Sequence, residues 1–203
     1  MKYVWVVNLM SNIEHTLVIF VGKSGSGKSS LINRLCNREG YTQVISQTTR
    51  PRRNENDNDH YFVSEEDYYM AKLNGDIVAE TEINGYHYYA TKDQVYNADF
   101  YTLDPQGLES LLSMNLPNLR LVIVYISCPD DVRMDRAVNT RGDNKQTFRA
   151  RNYSESVQFK RFVTDERWDY SVKNINFQKA YSVLKWICDL EGLWKNRLGD
   201  TTR

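Results

Sequence analysis

The sequence predicts an α/β fold with a mainly parallel sheet, and three observations carry that prediction. Two runs, Leu17 to Val21 and Leu119 to Ile126, are apolar almost throughout, as strands buried on both faces must be. Leu31, Ile32, Leu35 and Cys36, and later Ala180, Val183, Leu184, Ile187 and Leu190, recur at helical spacing. Between these, strand and helix signals alternate, which points to crossover units and not to an antiparallel sandwich.

The elements follow in order. Leu17 to Val21, closed by Gly22, is the first strand, and a helix runs from Lys28 to about Gly40. Arg50 to Asp59 holds no apolar residue except Pro51 and reads as a surface loop. Ser64, Glu65, Glu66 and Asp67 start a helix backed by Tyr68, Met70, Ala71 and Leu73. Asn74-Gly75 and Asn84-Gly85 are turns, flanking short strands at Ile77-Val78 and Tyr86 to Tyr89. Phe100 to Leu103 is a strand ending at Asp104, and Gln106 to Ser113 a helix. Arg133 to Thr164 reads as helical, interrupted around Arg141-Gly142-Asp143, and Val172 heads a short last strand. Met1 to Glu14 and Trp194 to Arg203 read as an extra strand and a frayed tail.

Composition narrows the function. The 203 residues suit one domain or one domain with an inserted lobe. With 26 basic and 26 acidic side chains, the chain is no general polyanion binder. Cys36, Cys128 and Cys188 form no CxxC pair, so neither a zinc ribbon nor a disulfide framework is indicated. No apolar run approaches a membrane span or a signal segment, and the expected location is the cytoplasm.

Gly22-Lys23-Ser24-Gly25-Ser26-Gly27-Lys28-Ser29 matches the full phosphate-loop pattern between a buried strand and an amphipathic helix. Its glycines let successive N–H groups point at phosphate oxygens, and the helix adds its positive end. Lys28 is placed for the β/γ-phosphates of ATP and the Ser29 hydroxyl for Mg²⁺. About twenty residues on, Ser46-Gln47-Thr48-Thr49-Arg50-Pro51-Arg52-Arg53 packs three arginines into four positions. Arginine forks suit bidentate phosphate binding, and a second anion site suits a kinase acting on a phosphorylated acceptor.

The order of these two segments, Tyr61-Phe62-Val63-Ser64, Asn84-Gly85 with Tyr88-Tyr89-Ala90-Thr91, Asp104-Pro105-Gln106-Gly107, Arg141-Gly142-Asp143 and Asp169-Tyr170 to Asn174 resembles the guanylate kinase family from about Thr16 to Leu190. The resemblance implies a P-loop kinase core with a parallel sheet, an inserted mixed α+β monophosphate-binding lobe and a helical lid. In this sequence the kinase-like domain would span 15–192, with core 15–45 and 98–192, lobe about 46–97 and lid about 136–158; 1–14 and 193–203 would be extensions. It implies Mg²⁺-dependent transfer from ATP to GMP or dGMP by a monomer or homodimer, with no nucleic-acid partner. Ser46, Arg50, Arg52, Tyr61 and Tyr89 match acceptor-phosphate positions. Glu80, Thr91 and Asp104 match guanine contacts, and Arg141 and Arg151 match lid arginines that reach the transferring group. A carboxylate in the lobe favours guanine, which presents N–H donors where adenine presents an acceptor.

Several positions depart from the family pattern. Arg53 rivals Arg52, and His60 rivals Tyr61, with an exposed loop histidine the plainer reading of His60. Counting from Tyr88-Tyr89 selects Glu80, whereas counting from Asn84-Gly85 selects Ala79, because an extra residue falls within Tyr86-His87. Thr102 stands where the family has a second aspartate, so Asp104 is divided between base and metal. Arg136 and Arg141 are spaced one residue wider than usual, and Arg149 rivals Arg151. Of the tyrosines, Tyr86, Tyr88 and Tyr89 are candidates to wall a base pocket, and only Tyr89 takes a site role.

Overall fold

β1 (His15–Val21) sends Leu17, Ile19 and Val21 to one face of its sheet and Val18 and Phe20 to the other, and all five are fully buried. A strand with five successive apolar residues, all buried, is a central strand. The computed structural model describes residues 15–55 and 57–193; the readings for Met1 to Glu14 and Trp194 to Arg203 lie outside them. In the first sheet β6 (Phe100–Leu103), β1, β7 (Leu119–Ser127) and β8 (Tyr170–Lys173) lie side by side, every pair parallel. β8 begins at Tyr170, two residues before the apolar Val172 that marked it.

Two helices cover one face: α1 (Lys28–Glu39), through Leu31, Ile32 and Leu35, and α8 (Phe177–Leu190), through Ala180, Leu184 and Ile187. Each fully buried leucine or isoleucine contributes about 1.5–3 kcal/mol. Val183 and Leu190, expected on the inner stripe of α8, are exposed; Tyr181 and Cys188 are buried in their stead. On the opposite face lie α4 (Pro105–Ser113) and α7 (Lys160–Thr164), burying Leu108, Leu111 and Phe162.

The second sheet runs β3 (Tyr61–Phe62), β2 (Gln47–Thr48), β5 (Tyr86–Thr91) and β4 (Ile77–Ile83). Its β4–β5 hairpin closes on Asn84-Gly85 with φ of 53° and 78°, the left-handed pair a two-residue turn demands. α2 (Glu65–Leu73) starts at a capping box between Ser64 and Asp67, and α3 (Lys92–Tyr96) at one between Thr91 and Gln94. Only Tyr68 of α2 is buried, while Met70 and Leu73 point outward at 53% and 80% exposure. Val78, Ala79, Ala90 and Val95 of this segment join the core beneath α4.

The helical stretch after β7 divides into α5 (Asp130–Asp135), a π turn over Arg136–Thr140, α6 (Lys145–Gln158) and α7. The Arg141 amide donates to the Arg136 carbonyl at 3.2 Å, five residues back. The extra residue between Arg136 and Arg141 is taken up in that wider turn. Among the described residues, no helix is long and apolar enough to cross a membrane.

Candidate active site

The phosphate loop joins β1 to α1, and its shape explains its glycines. A Cβ on Gly22 would stand 2.5 Å from the Ile126 carbonyl oxygen, and Gly27 adopts φ +85° against the Asn174 side chain. The loop's outward carbonyls are held: Asn174 Nδ2 donates to Ser26 O at 2.7 Å and Arg133 Nη1 to Ser24 O at 2.7 Å. Arg133 is buried and also donates to Asp130 and Asn152. Lys28 folds back on the loop, donating to the Gly22 and Lys23 carbonyls. The residue keeps some solvent contact, but its ammonium is enclosed, and burial pushes its pKa down to about 8. Glu155 and Asp104 pull that value up; Arg133 and Arg141 push it down.

Helix α6 lies over this loop. Ser24 N donates to Glu155 Oε1 at 2.9 Å, Lys23 Nζ to Ser156 Oγ at 2.9 Å, and Gln158 Nε2 to Asp104 Oδ2 at 2.7 Å. Glu155 and Gln158 carried no sequence signal, because their partners lie 131 and 54 residues away. A cavity of about 880 Å³ runs from Gly22, Ser24 and Lys28 past Arg151, Glu155 and Gln158 to Asp104 and His60. A second, of about 650 Å³, lies between the loop and Arg136, Thr140 and Arg141. Arg141 and Arg151 share one counter-ion, Asp143, at 2.8 and 3.8 Å. Arg151, and not Arg149, lines the larger cavity. Ser29 lines a cavity of about 420 Å³ with Ser46, His60 and Thr102, and Thr102 borders every compartment named here.

The second sheet presents a different set of side chains from the one the sequence suggested. His60, Ser46, Ala79, Thr81, Tyr88 and Asp104 enclose a pocket of about 160 Å³. His60 Nδ1 and Ser46 Oγ share a 2.9 Å hydrogen bond, whereas Tyr61 is 55% exposed. His60, just before β3, faces the pocket, while Tyr61, the first residue of β3, turns away. His60 is no exposed loop histidine. Burial and the nearby Arg50 charge lower its pKa.

Alternation along β5 makes Tyr88 the cavity residue, while Tyr89 is fully buried against Tyr68 and Ile77, its hydroxyl without a partner. The extra residue lies on β4 and not within Tyr86-His87. Ile83 pairs directly with Tyr86, but between Val78↔Ala90 and Thr81↔Tyr88 two residues, Ala79 and Glu80, oppose Tyr89 alone. Ala79 takes φ +55° at this bulge. The bulge aims Ala79 at the cleft and Glu80 away from it. Glu80 accepts from Tyr68 Oη and, at 3.1 Å, from Lys72 Nζ, with His87 3.5 Å away. Burial would raise its pKa, but the Tyr68 and Lys72 hydrogen bonds outweigh that and hold it below the usual carboxylate value. Thr91 caps α3 and lines none of these cavities.

The polar loop after β2 is not wholly a surface loop. Arg50 Nη1 donates to Asp57 Oδ2 at 2.9 Å, and both side chains are more than nine-tenths buried. Arg50 lies over Phe62 at 5.1 Å, leaving Nε and Nη2 unpartnered. Arg52 stacks on the same ring at 4.4 Å and donates to the Asp57 carbonyl at 2.5 Å; Arg53 offers its backbone amide to Asp57 at 3.0 Å. Held by Arg50 and the Arg53 amide, the Asp57 carboxyl is pulled down to about 2.

The cleft thus has the glycine-rich loop and Lys28 at one end and a polar pocket at the other, with the Asp104 carboxylate between them and Arg141 and Arg151 nearby. A family model described as guanylate kinase matches residues 14–191. A guanylate kinase of Escherichia coli strain K12 is 29% identical over 193 residues, covering 90% of this chain and 91% of its own. One from Yersinia pestis bv. Antiqua is 31% identical over 198 residues, covering 92% of each. The solved guanylate kinase of Anaplasma phagocytophilum matches with a TM-score of 0.59 at 20% identity, over 87% of this chain and 86% of that one, a likeness of fold.

Proposed function

The chain belongs to the guanylate kinase family, and on that premise we propose how its cleft carries out ATP-dependent phosphorylation of GMP, and of dGMP with it. The observation that carries the reading is one cleft with two differently equipped ends, the phosphate loop and the Ser46–His60–Tyr88 pocket, meeting at Thr102 and Asp104.

The loop amides and Lys28 hold the donor's phosphates. Ser46 and His60 take the acceptor's phosphate, with Arg50 behind them offering its unpartnered Nε and Nη2. Asp104 accepts from the base. Residues 46–97 serve as the acceptor lobe and 136–158 as the lid, inside a domain of residues 15–192. An acceptor oxygen attacks the donor's γ-phosphorus as the bond to ADP breaks. Arg141 and Arg151 neutralise the charge spread over the transferring oxygens. Closure of α6 over the loop excludes water, so that ATP is not hydrolysed instead. Ser29 Oγ is a hard oxygen donor lining the cleft beside Thr102, and no cluster of three or more His, Cys, Asp or Glu stands among the described residues. That donor set fits Mg²⁺, which keeps most of its water and relies on substrate phosphates. Ser29 would hold Mg²⁺, which would supply charge neutralisation for the donor's phosphates.

The test is a coupled assay with Mg·ATP and GMP, dGMP, AMP, CMP, UMP and dTMP. Fast turnover confined to GMP and dGMP is expected; faster turnover of another monophosphate overturns the base assignment, and none at all overturns the reading.

A further inference from the structure

With Glu80 turned onto Lys72 and Ala79 standing at the cleft, the carboxylate that faces the cleft is Asp104. Both its oxygens are engaged. Oδ1 accepts from the Gly107 amide at 2.7 Å, which fixes the carboxylate's plane at the start of α4. Oδ2 accepts from Gln158 Nε2 at 2.7 Å. Only the N–H₂ end of an amide can donate to a carboxylate, so the chemistry decides which way Gln158 faces. Phe159, next in the chain, is buried in the core beneath the sheet and anchors the end of α6. Asp104 and Gln158 line the same cavity.

An ionised carboxylate only accepts, and each of its oxygens keeps a further lone pair. The Gln158 amide has a second N–H beyond the one spent on Asp104. A donor and an acceptor therefore stand side by side in the cleft. Guanine and hypoxanthine carry the complement along one edge, a 6-oxo acceptor beside an N1–H donor. Adenine carries the reverse, an amino donor beside a bare ring nitrogen.

We infer that Gln158 is a specificity-determining residue that donates to the 6-oxo group of the acceptor while Asp104 accepts from N1–H, making the acceptor class 6-oxopurine nucleoside monophosphates. The inference rests on the guanylate kinase reading of the cleft. It assigns the lid helix a part in choosing the base, in place of the lobe carboxylate that turns away.

Steady-state kinetics of the full chain with Mg·ATP and GMP, IMP or AMP test it, in wild type, Q158A, Q158E and D104N. Removing a side-chain donor aimed at a substrate carbonyl costs on the order of tenfold. Q158A should lower kcat/KM for GMP and IMP equally, about tenfold and chiefly through KM, with AMP unchanged within twofold. Q158E, presenting an acceptor, should lower GMP use further and shift the GMP:AMP ratio towards AMP. Equal losses for GMP and IMP identify the 6-oxo group as the atom read, since IMP lacks only the 2-amino group. A GMP:AMP ratio within twofold of wild type in Q158A, or a loss confined to GMP, overturns the inference. If D104N also leaves selectivity unchanged, the placement of the base at Asp104 falls with it; a wild type that does not prefer GMP overturns the functional reading itself.

Discussion

Lys28 offers a direct test of how the donor is held, through pH. Its enclosed ammonium has a pKa of about 8, lowered chiefly by burial. At that value it is about nine-tenths charged at pH 7, half at pH 8 and one-tenth at pH 9. If the charged form alone holds the donor's phosphates, the apparent Kd is the intrinsic one divided by the charged fraction. Donor affinity should then fall about tenfold from pH 7 to pH 9, where an ordinary lysine would change it by less than about 10%. The assay is calorimetric titration with ATP and no acceptor, between pH 7 and 9.5, where phosphate is already about nine-tenths ionised or more. Lys28→Arg, charged throughout, should bind more weakly yet give a flat profile. An unchanged wild-type Kd through pH 9 would refute the reasoning. Stability carries the opposite sign. The folded pKa lies below the unfolded 10.5, so the unfolded chain binds more protons between pH 8 and 10.5. The buried charge costs about 3 kcal/mol below pH 8, and that cost fades as pH rises through this window.

Three further substitutions separate roles. Arg50→Ala should raise KM for GMP at least tenfold, leave the ATP Kd within twofold, and lower the midpoint of a urea melt because Asp57 loses its guanidinium partner and keeps the Arg53 amide; lost stability with an unchanged KM would remove Arg50 from the acceptor site. Glu80→Gln should leave the GMP:AMP ratio of kcat/KM unchanged and lower stability by about 1 kcal/mol, or a few degrees in Tm; a large selectivity change would return Glu80 to the base pocket. Gly27→Ala sets a side chain at φ +85° against Asn174, and should weaken ATP binding by more than tenfold as measured by calorimetry.

Where a segment's chemistry is local, the sequence was enough. The runs Leu17–Val21 and Leu119–Ile126, the stripe on α1 and the phosphate loop are decided by neighbours within a few positions, and the structure has them where the pattern put them. The second sheet was harder, for a reason that can be named. Its strands are short and carry a bulge at Ala79–Glu80, and a one-residue slip in a strand sends every later side chain to the other face. The bulge accounts for Glu80 outside the cleft, and a one-residue offset puts His60 and Tyr88 there where Tyr61 and Tyr89 were expected. The Arg50–Asp57 pair stayed hidden because a run of polar residues reads as solvated. Glu155 and Gln158 act across long sequence separations that no periodicity records.

The π turn over Arg136–Thr140 bears on how such a helical stretch can change over time. One residue more in an α-helix rotates everything beyond it by about 100° and would carry Arg141 off the cleft. Widening a single turn absorbs the residue on the spot. Arg136 and Arg141 still flank the same cavity. A helix that can take in one residue in this way lets its length drift while its arginines stay aimed, so insertions here are filtered by whether one turn can stretch and not by whether the whole segment survives rotation.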